Sequence, residues 1–318
     1  MGTRTSDKRA VEIARYALEH GDKLACADFG LTEETLARYK RLTKNADPQF
    51  VANATLRKIQ EAYSEKELQA IAKGGRLLPG QPRVPIVSFD GDVTTLGFLT
   101  DTHIGSVYFR PEWLGMAFAE FRKENVQFLA HAGDLTDGMS NRPDHIYELT
   151  HIGYEKQKAY AIEQFAGWDK PLYIVSGNHD RFYIKSSGAN IVDDVCRELP
   201  DATFLGHDEG DISVNGIVIR LWHGEDGSSY STSYRIQKVI EAFTGGEKPH
   251  ILLAGHTHKQ IYMFDRHIHC ISGGALSAQS RWMRSKRMPN HAGFWIVKFW
   301  TDKGSVSKVQ TCWYPFYA

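Results

Sequence analysis

Leu172-Tyr173-Ile174-Val175-Ser176-Gly177-Asn178-His179-Asp180 is the stretch on which the reading of this chain turns. Its first four residues form a short apolar run with aromatic and β-branched members, the pattern of a buried strand. The run stops at once in glycine, an amide, an imidazole and a carboxylate. In layered α/β proteins, ligand sites collect outside the carboxyl ends of strands. The stretch therefore predicts a core strand that delivers its last residues to a site.

The same order, apolar run then polar cluster, recurs on both sides of it. Run 96–100 leads into Asp101-Thr102-His103-Ile104-Gly105, and run 126–130 into Gly133-Asp134-Leu135-Thr136-Asp137-Gly138. Run 217–221 leads into Trp222-His223-Gly224, and run 251–254 into Gly255-His256-Thr257-His258. Segments of helical length, 111–124, 144–166, 188–198 and 231–243, separate some of these runs. Further strand-like runs follow at 260–265, 267–272, 293–300 and 305–312. Such alternation predicts an α/β fold, a β-sandwich with helices on its outer faces.

The side chains at the run ends share one chemistry. Asp and Asn offer hard oxygen and His offers imidazole nitrogen, a set that favours manganese, iron, zinc or nickel over calcium or magnesium. Asp101 and His103 are two residues apart, as are His256 and His258, so on an extended strand end each pair points one way. Adjacent glycines suit the sharp turns such a site needs. A lone Asp-x-His is ordinary surface chemistry, a lone Gly-His-x-His is a weak signal, and Gly-Asn-His-Asp after a strand is a stronger one. Five such clusters, each at the end of an apolar run, are not ordinary surface chemistry.

As an ordered set, Asp-x-His, Gly-Asp-x-x-Asp-Gly, Gly-Asn-His-Asp, His-Gly and Gly-His-x-His resembles the calcineurin-like metallophosphoesterase superfamily, over roughly residues 84–300. The resemblance implies a four-layer αββα sandwich carrying a two-metal phosphoesterase. It implies that Asp101, His103 and His258 hold a first metal, that Asn178, His223 and His256 hold a second, and that Asp134 bridges both. His179 would protonate the leaving group, with Asp180 orienting it. The cofactor expected is a pair of divalent ions, manganese first, with iron, zinc or nickel compatible. Two such ions ~3.5–4 Å apart can activate water and stabilise charge on phosphoryl oxygens. Asp137 is left to a supporting role behind the ligands. Gly138 directly after Asp137, and Asp180 directly after His179, depart from the protein serine/threonine phosphatase branch. No tyrosine accompanies Leu135, against the purple acid phosphatases. Asp101–Gly105 and Gly177–Asp180 resemble the DNA-repair nucleases and bacterial phosphodiesterases of the superfamily. Those nucleases carry a capping domain after the core, whereas here the extra residues stand in front.

Composition frames this. The 318 residues are 42% apolar and 24% charged, as in an ordinary globular protein of about two domains. Lys+Arg and Asp+Glu both number 38, which excludes a uniformly basic nucleic-acid coat and an acidic disordered chain. No apolar run approaches the ~18 residues of a membrane span. Residues 1–9 are polar and Cys26, Cys196, Cys270 and Cys312 lack metal spacing, so a cytoplasmic protein with reduced thiols and no membrane partner is expected. Residues 1–75 read as an all-helical domain, the Gly/Pro-rich 76–85 as a linker, and 86–318 as the catalytic domain.

Two regions outside the motifs point to nucleic acid, DNA before RNA. Arg281, Trp282, Arg284, Lys286 and Arg287 combine cations for phosphates with an indole for stacking on a base, or else form a solvated loop. In the N-terminal part, Ala25, Cys26, Phe29, Gly30, Leu31, Leu36 and Tyr39 follow a helix-turn-helix pattern, with the turn at Gly30. Residues 32–44 would be the recognition helix, capped by Thr32 and preceded by a helix with Val11, Ala14, Ala17 and Leu18 as its stripe. The pattern resembles modules of phage and transposase-type proteins. Arg38, Lys40, Arg41 and Lys44 would meet DNA, while Glu33 and Glu34 suit the helix dipole. Residues 1–80 hold 14 Lys/Arg against 11 Asp/Glu, an excess of only three, so a packing or oligomerisation role is the alternative. Two further helices are expected in 48–73, the second opened by a Ser64/Glu67 capping box. Among the remaining histidines, His131, His267 and His269 read as structural, and His145, His151 and His291 as possible cleft residues.

The expectation is a two-metal phosphodiesterase acting on nucleic acid, most simply a DNA nuclease. The alternatives are a small-molecule nucleotide phosphodiesterase or phosphomonoesterase, and a DNA-binding regulator with a vestigial metal site.

Overall fold

The computed structural model describes residues 3–46, 84–224, 231–244 and 246–317. The helices expected in 48–73, their capping box, most of the 76–85 linker and the Leu18 and Lys44 side chains lie outside the described residues. The chain divides into two compact units, Met1–Pro79 and Gly80–Ala318.

The described part of the first unit is three helices, α1 (Thr3–His20), α2 (Asp22–Phe29) and α3 (Glu33–Ala46). Ile13, Ala17, Ala25 and Leu36 form its core, with Tyr16, Cys26, Leu31 and Tyr39 packed around them. Gly30 ends α2 in the left-handed region (φ 63°), where a Cβ would be strained. Thr32 Oγ1 then accepts the Thr35 N–H at 3.3 Å and starts α3.

The second unit is a mixed α/β sandwich. One sheet contains β2 (Val93–Leu99), β3 (Phe128–His131), β4 (Leu172–Ser176) and β5 (Ala202–His207) in parallel, with β11 (Gly293–Asp302) and β12 (Ser305–Pro315) antiparallel at the β2 edge. The other has the order β1 (Ile86–Val87), β6 (Glu209–Val214), β7 (Ile217–Trp222), β8 (Ile251–Ala254), β10 (Ile268–Gly273), β9 (Gln260–Asp265). Residues alternate between the two faces of each strand. Leu96, Phe98, Phe128 and Val175 point between the sheets at Ile212, Ile219, Leu221 and Leu253. Leu99, Leu129 and Ile174 point outward against α4 (Pro111–Lys123), α5 (Tyr154–Phe165) and α7 (Ile191–Glu198). On the far face, Leu252, Ile268 and Cys270 pack under Ile236 and Ile240 of α8 (Tyr234–Ala242). The layers are therefore helix, sheet, sheet, helix. Burial on both faces is why the parallel strands read as unbroken apolar runs.

The structure corrects some boundaries. Residues 144–166 are not one helix: His145–Glu148 is a 3-10 turn, and α5 starts only at Tyr154. Between them, Gly105 O accepts from Thr150 N at 2.8 Å and His151 N at 3.1 Å, which ties the bend there to the β2 loop. Segment 188–198 holds α7, which starts at Ile191 with Asn190 as its cap, and a short α6 (Phe182–Ser187) outside the expected segment precedes it. The basic stretch expected as a loop carries a short helix, α9 (Arg281–Ser285), capped by Ser280. Strands β1, β5 and β6 had no sequence signal strong enough to predict them.

Candidate metal centre

β2, β3 and β4 are parallel neighbours in one sheet, and β7 and β8 in the other. Their carboxyl ends consequently lie side by side, and every polar cluster leaves from that edge. Backbone bonds join the loops: Asp101 N to Gly133 O at 3.0 Å, His103 N to Asp134 O at 3.1 Å, and Gly255 N to Trp222 O at 3.0 Å. One side chain joins the two sheets through His256 N, which donates to Asp101 Oδ2 at 3.0 Å; within one sheet, His179 N donates to Asp134 Oδ1 at 2.8 Å.

The structure brings together all seven residues that the resemblance names as ligands. His258 Nε2 lies 3.2 Å from Asp101 Oδ1 and 3.3 Å from His103 Nε2. His223 Nε2 lies 3.3 Å from Asp134 Oδ2 and 3.1 Å from Asn178 Oδ1, which is 2.9 Å from His256 Nδ1. Asp134 Oδ2 is also 3.9 Å from His103 Nε2, so its carboxylate faces both groups. Donor atoms of Asp101/His103/His258, of His103/Asp134/His179 and of Asp134/His223/His256 each fall within 4.8 Å of one another. Asp101 Oδ1 is buried without a hydrogen-bond partner. An orphaned carboxylate oxygen beside two imidazole nitrogens that face each other is a donor set that fits divalent cations.

The backbone is strained at the same residues. Asp101, His103, Asp134, His256 and His258 have φ of 52°, 49°, 51°, 71° and 53°, although none is glycine. Each such residue costs about 1–3 kcal/mol, and strain of this kind gathers at functional sites. Gly177 shows how tightly the loops pack, since a Cβ there would collide with the Asp134 carboxylate.

Charge is balanced inside the cluster. Burial pushes the Asp101 carboxyl up, but His258 and His223 outweigh it and bring it to about 2. Burial likewise opposes Asp134, yet His223 and His179 hold it well below the usual carboxylate range. Burial lowers His223, while Asp134 and Asp101 drive it up to about 10. His258 is raised against burial by Asp101, whereas burial and the His223 charge bring His256 down to about 4. At neutral pH the metal-free centre thus has ionised Asp101 and Asp134 carboxylates and a charged His223, below its raised pKa. A bound cation has to displace that proton, so its affinity is expected to rise with pH through the neutral range. Calorimetric titration of Mn²⁺ in buffers of different ionisation enthalpy should report proton release. Heats independent of the buffer would contradict it.

Three of the imidazoles are held from behind, each through Nδ1. His223 Nδ1 donates to Ala132 O at 2.7 Å, His103 Nδ1 is 3.0 Å from Asp137 Oδ1, and His258 Nδ1 is 2.7 Å from Asn290 Oδ1. Each thereby presents Nε2 to the centre. The second Asp137 oxygen lies 2.9 Å from His145 Nε2.

Asp180 requires a correction. It does not orient His179: its carboxylate accepts from Thr136 N at 2.8 Å, Thr136 Oγ1 at 2.9 Å, Gly177 N at 2.9 Å and Leu135 N at 3.2 Å. The sequence places it beside His179, but its side chain turns into the β3 and β4 loops and pins them. His179 Nδ1 instead donates to the Asp137 carbonyl at 2.8 Å, with Asp137 Oδ1 3.6 Å away. Burial opposes a proton on His179, and Asp134 and Asp137 raise its pKa in spite of that.

A cleft of about 240 Å³ opens over the centre, and Tyr108, Arg142, Phe182 and Trp282 are among its walls. The first three were not singled out from sequence, because each reaches the cleft from a loop or helix with no motif. Trp282 is 46% exposed at the rim. Arg281 and Arg284 face a neighbouring groove, while Lys286 and Arg287 line neither. His145 lines the cleft; His151 stacks on Tyr160 at 3.9 Å, and His291 Nδ1 accepts the Gln260 N–H at 3.1 Å. On α3, Lys40 pairs with Asp22 at 2.5 Å, Arg38 lies 5.7 Å from the centre of the Tyr39 ring, and Arg41 is exposed.

The chain is similar to several known proteins. The family model for calcineurin-like phosphoesterases matches residues 94–260, just over half of the chain. A curated relative, the DNA polymerase II small subunit of Methanothermobacter thermautotrophicus, is 23% identical over 252 residues. The match covers 65% of this chain and 52% of that protein, so the chain spans about half the length of this relative. Among solved structures, an archaeal phosphodiesterase aligns at 16% identity and a TM-score of 0.42, covering 70% of this chain and all of that one. The Yfce phosphoesterase of E. coli aligns at 16% and 0.39, over 68% and 98% of the two chains. Vps29 of Entamoeba histolytica aligns at 15% and 0.37, over 69% and 99%.

Proposed function

The chain belongs to the calcineurin-like phosphoesterase family and is a metal-dependent phosphoester hydrolase, and from that premise we propose that it is a phosphodiesterase that cleaves nucleic acid, most simply a DNA nuclease. The observation that carries the reading is the buried donor set around Asp134, open to a cleft with His179 at its edge. In this reading Asp101, His103 and His258 would hold one cation, Asn178, His223 and His256 would hold the other, and Asp134 would serve both. When bound, the two cations supply an activated water and neutralise charge on the phosphoryl oxygens.

The protein's own groups do the rest. The carbonyl of Asp137 accepts a hydrogen bond from Nδ1–H of His179, which fixes the ring and leaves Nε2 to donate to the departing alkoxide. Asp137 and Asn290 set the ring planes of His103 and His258. Asp180, fully hydrogen-bonded between two loops, fixes the spacing of Asp134 and Asn178. Trp282 offers an indole at the cleft rim to a nucleobase. The relative's place in a DNA polymerase supports a DNA substrate over a small nucleotide.

The test is incubation of the protein with Mn²⁺ and four substrates: bis-p-nitrophenyl phosphate, p-nitrophenyl phosphate, plasmid and linear DNA, and RNA. Cleavage of the diester and of DNA, with DNA cleavage lost in His179→Ala, is the expected result. Turnover of the monoester with DNA and RNA intact would replace the nuclease by a phosphatase.

A further inference from the structure

The catalytic cleft is not the only concavity on its face. A second groove, about 630 Å³ in volume, shares Tyr108 and Ala278 with it as a common wall. We propose that this groove is a subsite for single-stranded nucleic acid, holding the nucleotides that flank the phosphodiester under attack. The proposal rests on the nucleic-acid reading above and deepens it.

Among the described residues its lining includes Arg110, Arg281 and Arg284 and no acidic residue. Arg281 and Arg284 stand three residues apart on α9, which puts them on one helix face. Both are exposed, and neither guanidinium meets a carboxylate among the described residues. Arg110 is held in place by NH1, which donates to Val107 O at 2.9 Å and Phe109 O at 3.1 Å. Unpaired arginines grouped without counter-charge are suited to anionic ligands, and the guanidinium fork to phosphate. Tyr108, Trp113, Phe316 and Tyr317 add aromatic surface to the lining. Trp113 and Phe316 stack at 4.9 Å with planes 6° apart, forming a rigid floor. The ring of Tyr317 is 91% exposed.

Tyr108 makes the two concavities one path. Its hydroxyl accepts the Arg281 N–H at 3.0 Å and its carbonyl accepts the Ala278 N–H at 2.9 Å, so the wall is tied to the segment leading into α9. A polymer whose phosphate sits over the metal centre continues past this ring onto the arginines. A mononucleotide has no second phosphate to place there. The aromatic surface selects single strands, because only unpaired bases offer their faces for stacking.

The experiment measures fluorescence anisotropy of labelled octathymidylate on the full chain in EDTA, so that binding is read without turnover. Arg281→Glu/Arg284→Glu is compared with the wild type after their thermal unfolding curves have been matched. The dissociation constant is expected to rise at least tenfold. The slope of log K against log salt should fall by about 1.4, the loss of two phosphate contacts at about 0.7 each. A duplex of equal length should bind more weakly than the single strand. As a second readout, octamers carrying 5-iododeoxyuridine should crosslink in the wild type to Tyr108, Trp113 or Tyr317. An unchanged constant and slope, a preference for duplex, no binding by the wild type, or crosslinks only outside the groove would each overturn the subsite. Binding that depends on the arginines without cleavage of DNA or RNA defeats the nuclease reading and leaves the groove standing. DNA cleavage by the double variant with an unchanged KM does the reverse.

Discussion

Asp134→Ala is expected to abolish phosphodiester turnover more completely than alanine at any single histidine of the centre, and to leave at most one ion bound per chain. The Asp134 carboxylate stands 3.3 Å from His223 Nε2 and 3.9 Å from His103 Nε2, one donor from each half of the centre. Its other oxygen accepts the His179 N–H at 2.8 Å. One substitution thus removes a contact to both halves and loosens the residue proposed as acid. Stabilisation by the cations contributes several kcal/mol, and each ~1.36 kcal/mol is a factor of ten, so the loss in kcat/KM should be on the order of 10⁴-fold. Loss of any one of the histidines removes a single donor of a set that keeps the others. The check is kcat/KM on bis-p-nitrophenyl phosphate at saturating Mn²⁺, with metal per chain counted by mass spectrometry. An alanine variant that kept one ion and near-normal turnover would sink the bridging assignment.

Why the centre was legible in the sequence, and its support was not, follows from how each is built. A parallel strand buried on both faces must be apolar throughout, so its end is marked by an abrupt change to polar residues. That is why runs 96–100, 172–175 and 251–254 lie within a residue or so of β2, β4 and β8 in most of their bounds. Donors at the run ends need local spacing, and local spacing is visible. Asn290 is different: it reaches His258 from 32 positions away, held by its own amide N–H on the Ser277 carbonyl at 2.9 Å. Tyr108, Arg142 and Phe182 likewise enter the cleft by tertiary folding alone. Asp180 misled for the opposite reason. Its adjacency to His179 suggested a partnership, but four donors from two loops outcompete the neighbouring ring for its oxygens. β5 and β6 were missed because Gly206, Asp208 and Gly210 give the segment the composition of a loop. Asp208, at φ 64°, turns the chain from one sheet to the other between them.

His179→Ala is expected to slow DNA cleavage by about 10²–10⁴-fold, the usual contribution of a positioned general acid, and to slow bis-p-nitrophenyl phosphate far less. The difference lies in the leaving group. A nucleoside alkoxide is a poor leaving group and needs a proton as the bond to phosphorus breaks, whereas p-nitrophenolate departs as a stable anion. His179 is built to supply that proton. Its Nδ1 is committed to the Asp137 carbonyl, its backbone N–H to Asp134, and its ring lies edge-on to His103 at 4.6 Å between centroids, so the free Nε2 has one orientation. The ring is also in a group of three with His103 and Asp134 whose donor atoms fall within 4.8 Å, which leaves open a second role as a metal ligand. The two roles give different results. If His179 were a ligand, its loss would weaken metal binding and slow both substrates alike, and excess Mn²⁺ would restore them together. If it is the acid, metal content stays at the wild-type value, the two substrates separate by at least tenfold, and added Mn²⁺ restores neither. Measuring kcat on both substrates across a Mn²⁺ titration decides between them, and equal losses relieved by metal would overturn the acid assignment.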